Sequence, residues 1–132
     1  MRGYLLDTGV FLLSMQTPEK INREARSIVE TGENDLFLSA ASSWEISIKC
    51  AIGKLTLAEP SSKYIPRLLS EKGIQSLPIT QIHALTAGEL PRHHGDPFDR
   101  MLIAQSMTED LVLMTTDRQF EKYEIAALWC AK

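Results

Sequence analysis

The amino-acid sequence predicts an α/β fold with a central parallel sheet of about four to five strands. Short apolar runs of three or four residues alternate along the chain with longer stretches in which apolar residues recur at helical spacing. Strands that are separated by helices pair in parallel, and helices then cover both faces of the sheet. We therefore expect an α/β/α sandwich.

Each element is predicted from an apolar run and the residues that end it. Five runs predict strands, at residues 4–6, 36–38, 75–77, 111–114 and 125–128. Helical spacing predicts helices at residues 21–31, 41–52, 61–71, 82–90 and 97–108, and a shorter helix from about residue 118. Glycine or proline ends four of them, at Gly32, Gly53, Gly73 and Pro91. On the second helix, one side carries Trp44, Ile48, Ala51 and Ile52.

The size and composition of the chain favour one domain over residues 1–132. Of these residues 44% are hydrophobic and 23% are charged, which is enough for a core without disulfides or a structural metal. The two cysteines, Cys50 and Cys130, match no zinc-binding spacing. Because Cys50 lies in an apolar helical run, we expect it to be a buried free thiol.

The charge and hydropathy of the chain limit its surroundings. A formal net charge of −3 gives no global basic field for coating nucleic acid, although a metal can supply positive charge locally. The apolar run at residues 4–6 is too short for a signal peptide, and Asp7 interrupts it. No apolar run approaches the ~20 residues of a membrane span. We expect a cytoplasmic protein without membrane contact.

Four acidic residues are predicted to meet at one edge of the sheet. Asp7 and Asp117 follow predicted strands, and Glu45 and Asp99 lie near the starts of helices that follow strands or loops at that edge. Four ionised carboxylates at short range repel one another, and two divalent cations balance their charge. Ligation by oxygen alone suits Mg²⁺ or Mn²⁺, and such ions can activate water against a phosphodiester.

Each acid also has a structural alternative. Asp7 and Asp117 are suited to capping the helices that follow them. Glu45 has Lys49 four residues ahead, the spacing of a surface ion pair, but its apolar neighbours leave little polar face for one. Asp99 suits the positive end of a helix dipole. Its metal-binding role is inferred from its convergence with the other acids.

The segment before Asp99 reads as a loop and a helix start. Asp96 precedes a proline at the first helical position, so we assign it an N-cap and a supporting role. His93 and His94 have no third nitrogen or sulfur ligand nearby, which favours a substrate-facing or solvated loop over a zinc site. With Arg92 and Arg100 these histidines can form a local positive patch for phosphate.

Several motifs, in a fixed order and spacing, carry a resemblance to a known family. They cover residues 4–8, 38–49, 53–55, 93–105 and 115–117, and the most specific are Trp44-Glu45 and Asp96-Pro97-Phe98-Asp99-Arg100. The sequence resembles PIN-domain ribonucleases, specifically the VapC-like toxins of type II toxin–antitoxin pairs. The resemblance implies a PIN fold, an endoribonuclease that depends on one or two Mg²⁺ or Mn²⁺ ions, a small antitoxin partner and a homodimer.

The family's functional positions fall on specific residues of this chain. Its acidic quartet falls on Asp7, Glu45, Asp99 and Asp117, and its hydroxyl positions beside the metals fall on Thr8 and Thr116. Arg100 is implied either to contact a substrate phosphate or to order the acids. Gly9 is a departure, since histidine is frequent there in this branch. The change alters the rim of the site and removes no metal ligand.

Three other functions compete with this interpretation. A catalytically silent PIN-like binding module is the first, although retention of all four acids argues against it. Asp7-Thr8-Gly9 also matches the aspartic protease triplet, but it occurs once and in a chain rich in helical spacing. DNA is an alternative substrate, for which the chain has no added basic extension. The apolar residues Phe11, Leu12, Leu13 and Met15 either line a groove for the antitoxin or form core.

Overall fold

A parallel sheet of five strands forms the centre of the fold in the computed structural model, which describes residues 3–132. The strands are β1 (Tyr4–Leu6), β2 (Leu36–Ser39), β3 (Ile74–Leu77), β4 (Val112–Thr115) and β5 (Ala127–Trp129). They lie in the order β3-β2-β1-β4-β5, and every neighbouring pair is parallel. The predicted α/β fold with a parallel sheet of four to five strands is confirmed.

Six α-helices connect and cover the strands. They are α1 (Thr8–Gln16), α2 (Arg23–Glu30), α3 (Ala40–Ala51), α4 (Ser61–Lys72), α5 (Gln81–Glu89) and α6 (Pro97–Glu109). Short 3₁₀ helices occupy Pro18–Lys20 and Arg118–Lys122. No bounds were predicted for α1, and the predicted and observed boundaries of the other five helices agree to within about two residues, the usual uncertainty of a helix end. Within residues 3–132, no helix is both long and apolar enough to cross a membrane.

The two faces of the sheet carry separate apolar cores. Neighbouring side chains of a strand point to opposite faces, so Leu5 and Leu6 of β1 belong to different cores. Leu6 shares its core with Phe11 of α1 and Ile65 of α4, whereas Leu5 packs with Leu102 of α6. All five are buried. Helices therefore cover both faces, and the carboxyl ends of β1 and β4 are held at one edge.

The helix predicted at residues 21–31 begins later than expected. Ile21 fits the helical spacing, but it is buried in an antiparallel bridge with Ala131 near the end of the chain. Asn22 then caps α2 by accepting a hydrogen bond from the backbone N–H of Ala25 at 2.9 Å. A long-range backbone contact thus overrides the local apolar period.

The apolar side of α3 is not the buried one. Its buried residues are Ala41, Ser42 and Ile46, whereas Trp44 and Ile52 expose 63% and 59% of their surface. The sheet contacts the side that carries Ile46, which is completely buried. The side defined by Trp44 and Ile52 therefore faces outward.

The structure also decides between the two alternatives for the segment after Asp7 and corrects the expectation for Cys50. Phe11 is fully buried, and Leu12, Leu13 and Met15 pack partly buried against the same core, which favours core over a partner groove. Cys50 is half-buried rather than buried, and both it and Cys130 are free thiols.

Candidate metal centre

A cleft of about 210 Å³ at the carboxyl edge of the sheet gathers the predicted acids. It is lined by Asp7, Thr8, Gly9, Leu12, Glu45, Lys49, Asp99, Thr116, Asp117 and Phe120. All four predicted carboxylates and both predicted threonines are in this set. Parallel strands explain the convergence of Asp7, Glu45 and Asp117, because the carboxyl ends of the strands share an edge and α1 and α3 start there. Asp99 is brought to the same edge by α6, which follows α5 and leads back to β4.

Asp7 has both of the roles that the sequence allowed. It follows β1 and its Oδ1 accepts a hydrogen bond from the backbone N–H of Val10 at 2.6 Å, which caps α1. The residue is only 6% exposed and also lines the cleft. The cap therefore fixes the carboxylate in place without removing it from the site.

Burial raises the pKa of Asp7 from 3.8 to about 6. A hydrogen bond from the Thr115 side chain and the one from Val10 counter the rise, while the charges of Asp99 and Asp117 add to it. The family resemblance implies hydroxyl roles for Thr8 and Thr116 only. The contact of Thr115 with Asp7 was missed, although Thr115 ends the strand beside β1.

Burial also raises the pKa of Asp99 from 3.8 to about 6. The hydrogen bond with His94 and the charge of His94 lower it, whereas the charges of Asp96 and Glu45 raise it. Two carboxyl groups of one cleft thus resist ionisation for the same reason. A divalent cation bound by their oxygens would remove that penalty, so the donor set fits such an ion.

Glu45 faces the cleft and also makes the i,i+4 ion pair with Lys49, which its spacing allowed but its apolar neighbours had argued against. The Nζ of Lys49 is 3.1 Å from its Oε2, and the Glu45 side chain is 13% exposed. Both residues line the cleft. Lys49 is therefore a cation at the mouth of the site.

Asp117 both caps a short helix and lines the cleft. Its Oδ1 accepts from the backbone N–H of Gln119 at 2.9 Å and caps the second 3₁₀ helix. Its own N–H donates to the Thr115 hydroxyl at 2.9 Å. One carboxylate is thereby anchored by backbone contacts while it lines the site.

Asp96 is occupied by the helix cap that its sequence context predicts. Its Oδ1 accepts hydrogen bonds from the backbone N–H groups of Phe98 at 2.8 Å and Asp99 at 3.1 Å. Its supporting contribution is therefore to start α6 and so to place Asp99.

Arg100 is buried and points into the protein. Its guanidinium donates to the backbone carbonyls of Ala87, Leu90, Pro91 and His94, at 2.8, 2.9, 3.1 and 3.2 Å. Only 8% of the residue is exposed. Of the two roles implied for Arg100, this geometry favours ordering the site over contacting a phosphate. It joins the end of α5 and the following loop to α6.

His94 lies against the acidic cluster and is not solvated. Its Nε2 is 2.7 Å from Oδ2 of Asp99. His93, in contrast, is exposed and packs edge-on against Tyr123. The sequence contained a signal for this placement, because a loop residue just before an N-cap must lie near the first turn of the helix.

Thr8 and Gly9 complete the rim beside Asp7. The Thr8 hydroxyl donates to the Ser42 hydroxyl at 2.9 Å, which ties α1 to α3. A Cβ placed on Gly9 would lie 3.7 Å from Oδ1 of Asp7, an ordinary contact. The backbone at Gly9 therefore leaves room for a Cβ.

Comparisons with known proteins show which sequences and structures this chain is similar to. The PIN domain family model matches residues 4–126. Ribonuclease VapC16 from Mycobacterium tuberculosis is 42% identical over 60 residues, a match that spans 46% of this chain and 43% of that protein. Ribonuclease VapC22 from the same organism is 27% identical over 124 residues, 93% of each chain.

A solved structure shares the fold over nearly the whole chain. It is VapBC2 from Rickettsia felis, bound to a DNA fragment from their promoter, with a TM-score of 0.72 and 14% sequence identity. The likeness covers 95% of this chain and 96% of that one. At this identity the comparison shows the fold alone.

Proposed function

The chain belongs to the PIN domain family, and on that premise we propose that it is a metal-dependent endoribonuclease that hydrolyses RNA phosphodiester bonds. One observation carries the proposal, namely that Asp7, Glu45, Asp99 and Asp117 line a single cleft. The ribonuclease names of the two M. tuberculosis relatives support it. We further propose that residues 1–132 work as one domain.

We assign the four carboxylates as ligands of one or two Mg²⁺ or Mn²⁺ ions. When bound, such ions lower the pKa of water and neutralise charge that develops on the phosphate. The raised pKa values of Asp7 and Asp99 support the assignment, because buried carboxyl groups that repel one another gain most from a cation.

The remaining residues of the cleft position the ligands and the RNA. Thr8 and Thr116 offer hydroxyl groups beside the carboxylates, and the Thr8 hydroxyl is oriented by Ser42. Lys49 is 45% exposed at the mouth and is suited to meet an RNA phosphate. Caps hold Asp7 and Asp117 in place before substrate arrives, so little reorganisation is needed.

We propose that the protein acts in the cytoplasm as the toxin of a toxin–antitoxin pair. The resemblance to VapC-like toxins and the fold shared with VapBC2 support a small antitoxin as partner. A small reading frame directly upstream of the gene is the expected source. Co-expression of its product should suppress RNA cleavage, and undiminished cleavage in the purified complex would contradict the pairing.

We also propose a homodimer, with α5 as its contact. Ile82 and Leu85 are exposed and lie three residues apart on that helix, so together they form an exposed apolar surface. Sedimentation equilibrium should give a dimer for the wild type and a monomer for Leu85→Lys. A dimer of unchanged affinity in the variant would place the contact elsewhere.

RNA cleavage by the purified protein tests the proposed activity. A mixed pool of RNA oligonucleotides is incubated with Mg²⁺ or Mn²⁺, with and without EDTA, using the wild type, Asp7→Asn and the matched control Asp35→Asn. Asp35 is exposed outside the cleft. We expect cleavage by the wild type and control, and its loss with EDTA or in Asp7→Asn. Metal binding without cleavage would instead support the catalytically silent binding module.

A further inference from the structure

We propose that His94 provides a nitrogen ligand to the divalent ion, beside the carboxylates of Asp99 and Asp117, and that it makes the site prefer Mn²⁺ to Mg²⁺. The inference rests on the proposed metal dependence of the cleft. It adds an uncharged ligand to a set that otherwise consists of carboxylates.

The positions of three ligand atoms fit one coordination sphere. One atom each from His94, Asp99 and Asp117 lies within 4.8 Å of the other two, and Nε2 of His94 is 2.7 Å from Oδ2 of Asp99. Around an ion with ligands at about 2.1 Å, adjacent ligand atoms lie about 3 Å apart and opposite ones about 4.2 Å apart. The three atoms are therefore close enough for one ion to contact all of them after small side-chain movements.

The loop that carries His94 is held from two sides. The backbone N–H of His94 donates to the Tyr123 hydroxyl at 2.9 Å, and that hydroxyl donates to the carbonyl of Pro91 at 2.8 Å. Arg100 donates to the carbonyls of both His94 and Pro91. These hydrogen bonds hold the backbone at Pro91 and at His94, and so they fix the position from which the His94 side chain extends.

The imidazole itself is enclosed. The His94 side chain is 11% exposed and packs edge-on against Phe120, with ring centroids 6.1 Å apart. Phe120 also lines the cleft. A buried aromatic contact of this kind restricts the ring to the orientation that presents Nε2 to the acids. The loop and the ring contact together preorganise a ligand, which reduces the ordering needed when an ion binds.

Charge and ligand type give the imidazole a specific effect. Four carboxylates around one divalent ion leave an excess of negative charge, whereas a neutral imidazole completes coordination without adding to it. Mg²⁺ and Mn²⁺ both favour oxygen ligands, but Mg²⁺ also requires near-ideal octahedral geometry and retains several waters, so Mn²⁺ accepts an imidazole nitrogen more readily than Mg²⁺ does. A nitrogen at this position therefore shifts the preference of the site toward Mn²⁺.

Pulsed electron paramagnetic resonance of the Mn²⁺-loaded protein tests the proposal directly. A nitrogen nucleus bound to Mn²⁺ produces a resolved coupling that a hydrogen-bond partner of Asp99 does not. We expect this coupling in the wild type, its loss in His94→Gln and its retention in His93→Gln. We also expect His94→Gln to weaken Mn²⁺ binding about tenfold or more and Mg²⁺ binding less. Thermal unfolding without metal checks that both variants fold.

The outcomes separate this inference from the proposed activity. Wild-type protein that binds Mn²⁺ and cleaves RNA without a bound-nitrogen coupling would overturn the role of His94 alone. So would a coupling that persists in His94→Gln. Wild-type protein that neither binds Mn²⁺ nor cleaves RNA would overturn both proposals. Equal losses of Mn²⁺ and Mg²⁺ affinity in His94→Gln would overturn the predicted metal preference.

Discussion

Trp44 packs edge-on against Phe98, with ring centroids 5.4 Å apart and ring planes at 75°. Each ring belongs to the residue immediately before a carboxylate of the cleft, Glu45 on α3 and Asp99 on α6. The aromatic contact therefore sets the spacing of two helices that contribute acids to one site. It also explains how Trp44 can be mostly exposed and still matter to the arrangement.

Trp44→Ala should lower the free energy of unfolding by about 1 kcal/mol, because it removes the aromatic pair. Trp44→Phe should recover most of the loss. Urea denaturation measures both, with Ile52→Ala as the control because Ile52 is similarly exposed at the C-cap of the same helix. If Trp44→Ala and Ile52→Ala behave alike, the contact does not fix α3 against α6.

Asp99→Asn should reduce RNA cleavage at least 100-fold, which corresponds to about 3 kcal/mol of transition-state stabilisation. The change keeps the shape of the side chain and removes a charged oxygen ligand. Circular dichroism and thermal unfolding should show an intact fold. Undiminished cleavage by this variant at matched metal concentration would exclude Asp99 from the site.

Stability of the metal-free protein should fall as pH rises from 4 to 7. Folding raises the pKa of Asp7 from 3.8 to about 6, so the folded state holds this proton more tightly than the unfolded chain. The contribution of the protonated Asp7 to folding is therefore present below pH 4 and is lost as the pH rises through about 6. Asp99 acts in the same direction.

Comparison with Asp7→Asn isolates this effect. Asparagine preserves the N-cap and carries no charge, so above pH 7 the metal-free variant should be more stable than the wild type by roughly 1–3 kcal/mol. Saturating Mg²⁺ should stabilise the wild type and leave the variant almost unchanged. If the free energies of unfolding of both proteins change equally with pH, burial does not raise the pKa of Asp7.

Arg100→Lys should destabilise the protein by about 2–4 kcal/mol. An ammonium group cannot reproduce the fork of a guanidinium that binds four carbonyls, so buried acceptors lose their partners. Arg92→Lys, at an exposed position in the loop between α5 and α6, should change stability by less than about 0.5 kcal/mol. A stable Arg100→Lys protein with a raised KM for RNA would instead assign Arg100 to phosphate contact.

The edge of the sheet was predictable from sequence because one geometric rule governs it. Acids at the ends of parallel strands and at the starts of the following helices must meet, which placed Asp7 and Asp117 in the cleft with Asp99. The capping alternatives for Asp7 and Asp117 were also predictable. From the sequence, capping a helix and lining the cleft were competing roles for each residue. In the structure, both residues do both.

Contacts between distant segments were not predictable in this way. The apolar period of α3 marks one side, yet packing against the sheet buries Ile46 and leaves Trp44 outside. In the sequence, Arg100 is a cation next to an acid, which suggests a contact with phosphate. The carbonyls that it binds instead are brought to it by the path of the loop between α5 and α6. For His94, the sequence indicates a position near the first turn of α6, but its contact with Asp99 depends on the path of the same loop and required the three-dimensional structure.

The chemical ends of the RNA products test the central claim most directly. A wild-type digest in Mn²⁺ is analysed by mass spectrometry beside digests with EDTA and by Asp7→Asn, using RNA and a substrate with a 2′-deoxy sugar at the cleavage site. Hydrolysis by water at the acidic cleft predicts linear phosphate ends, no 2′,3′-cyclic phosphate, cleavage of the deoxy-substituted substrate, and no products in either control. Cyclic phosphate ends, or products that survive EDTA and Asp7→Asn, would contradict metal-assisted hydrolysis at this site.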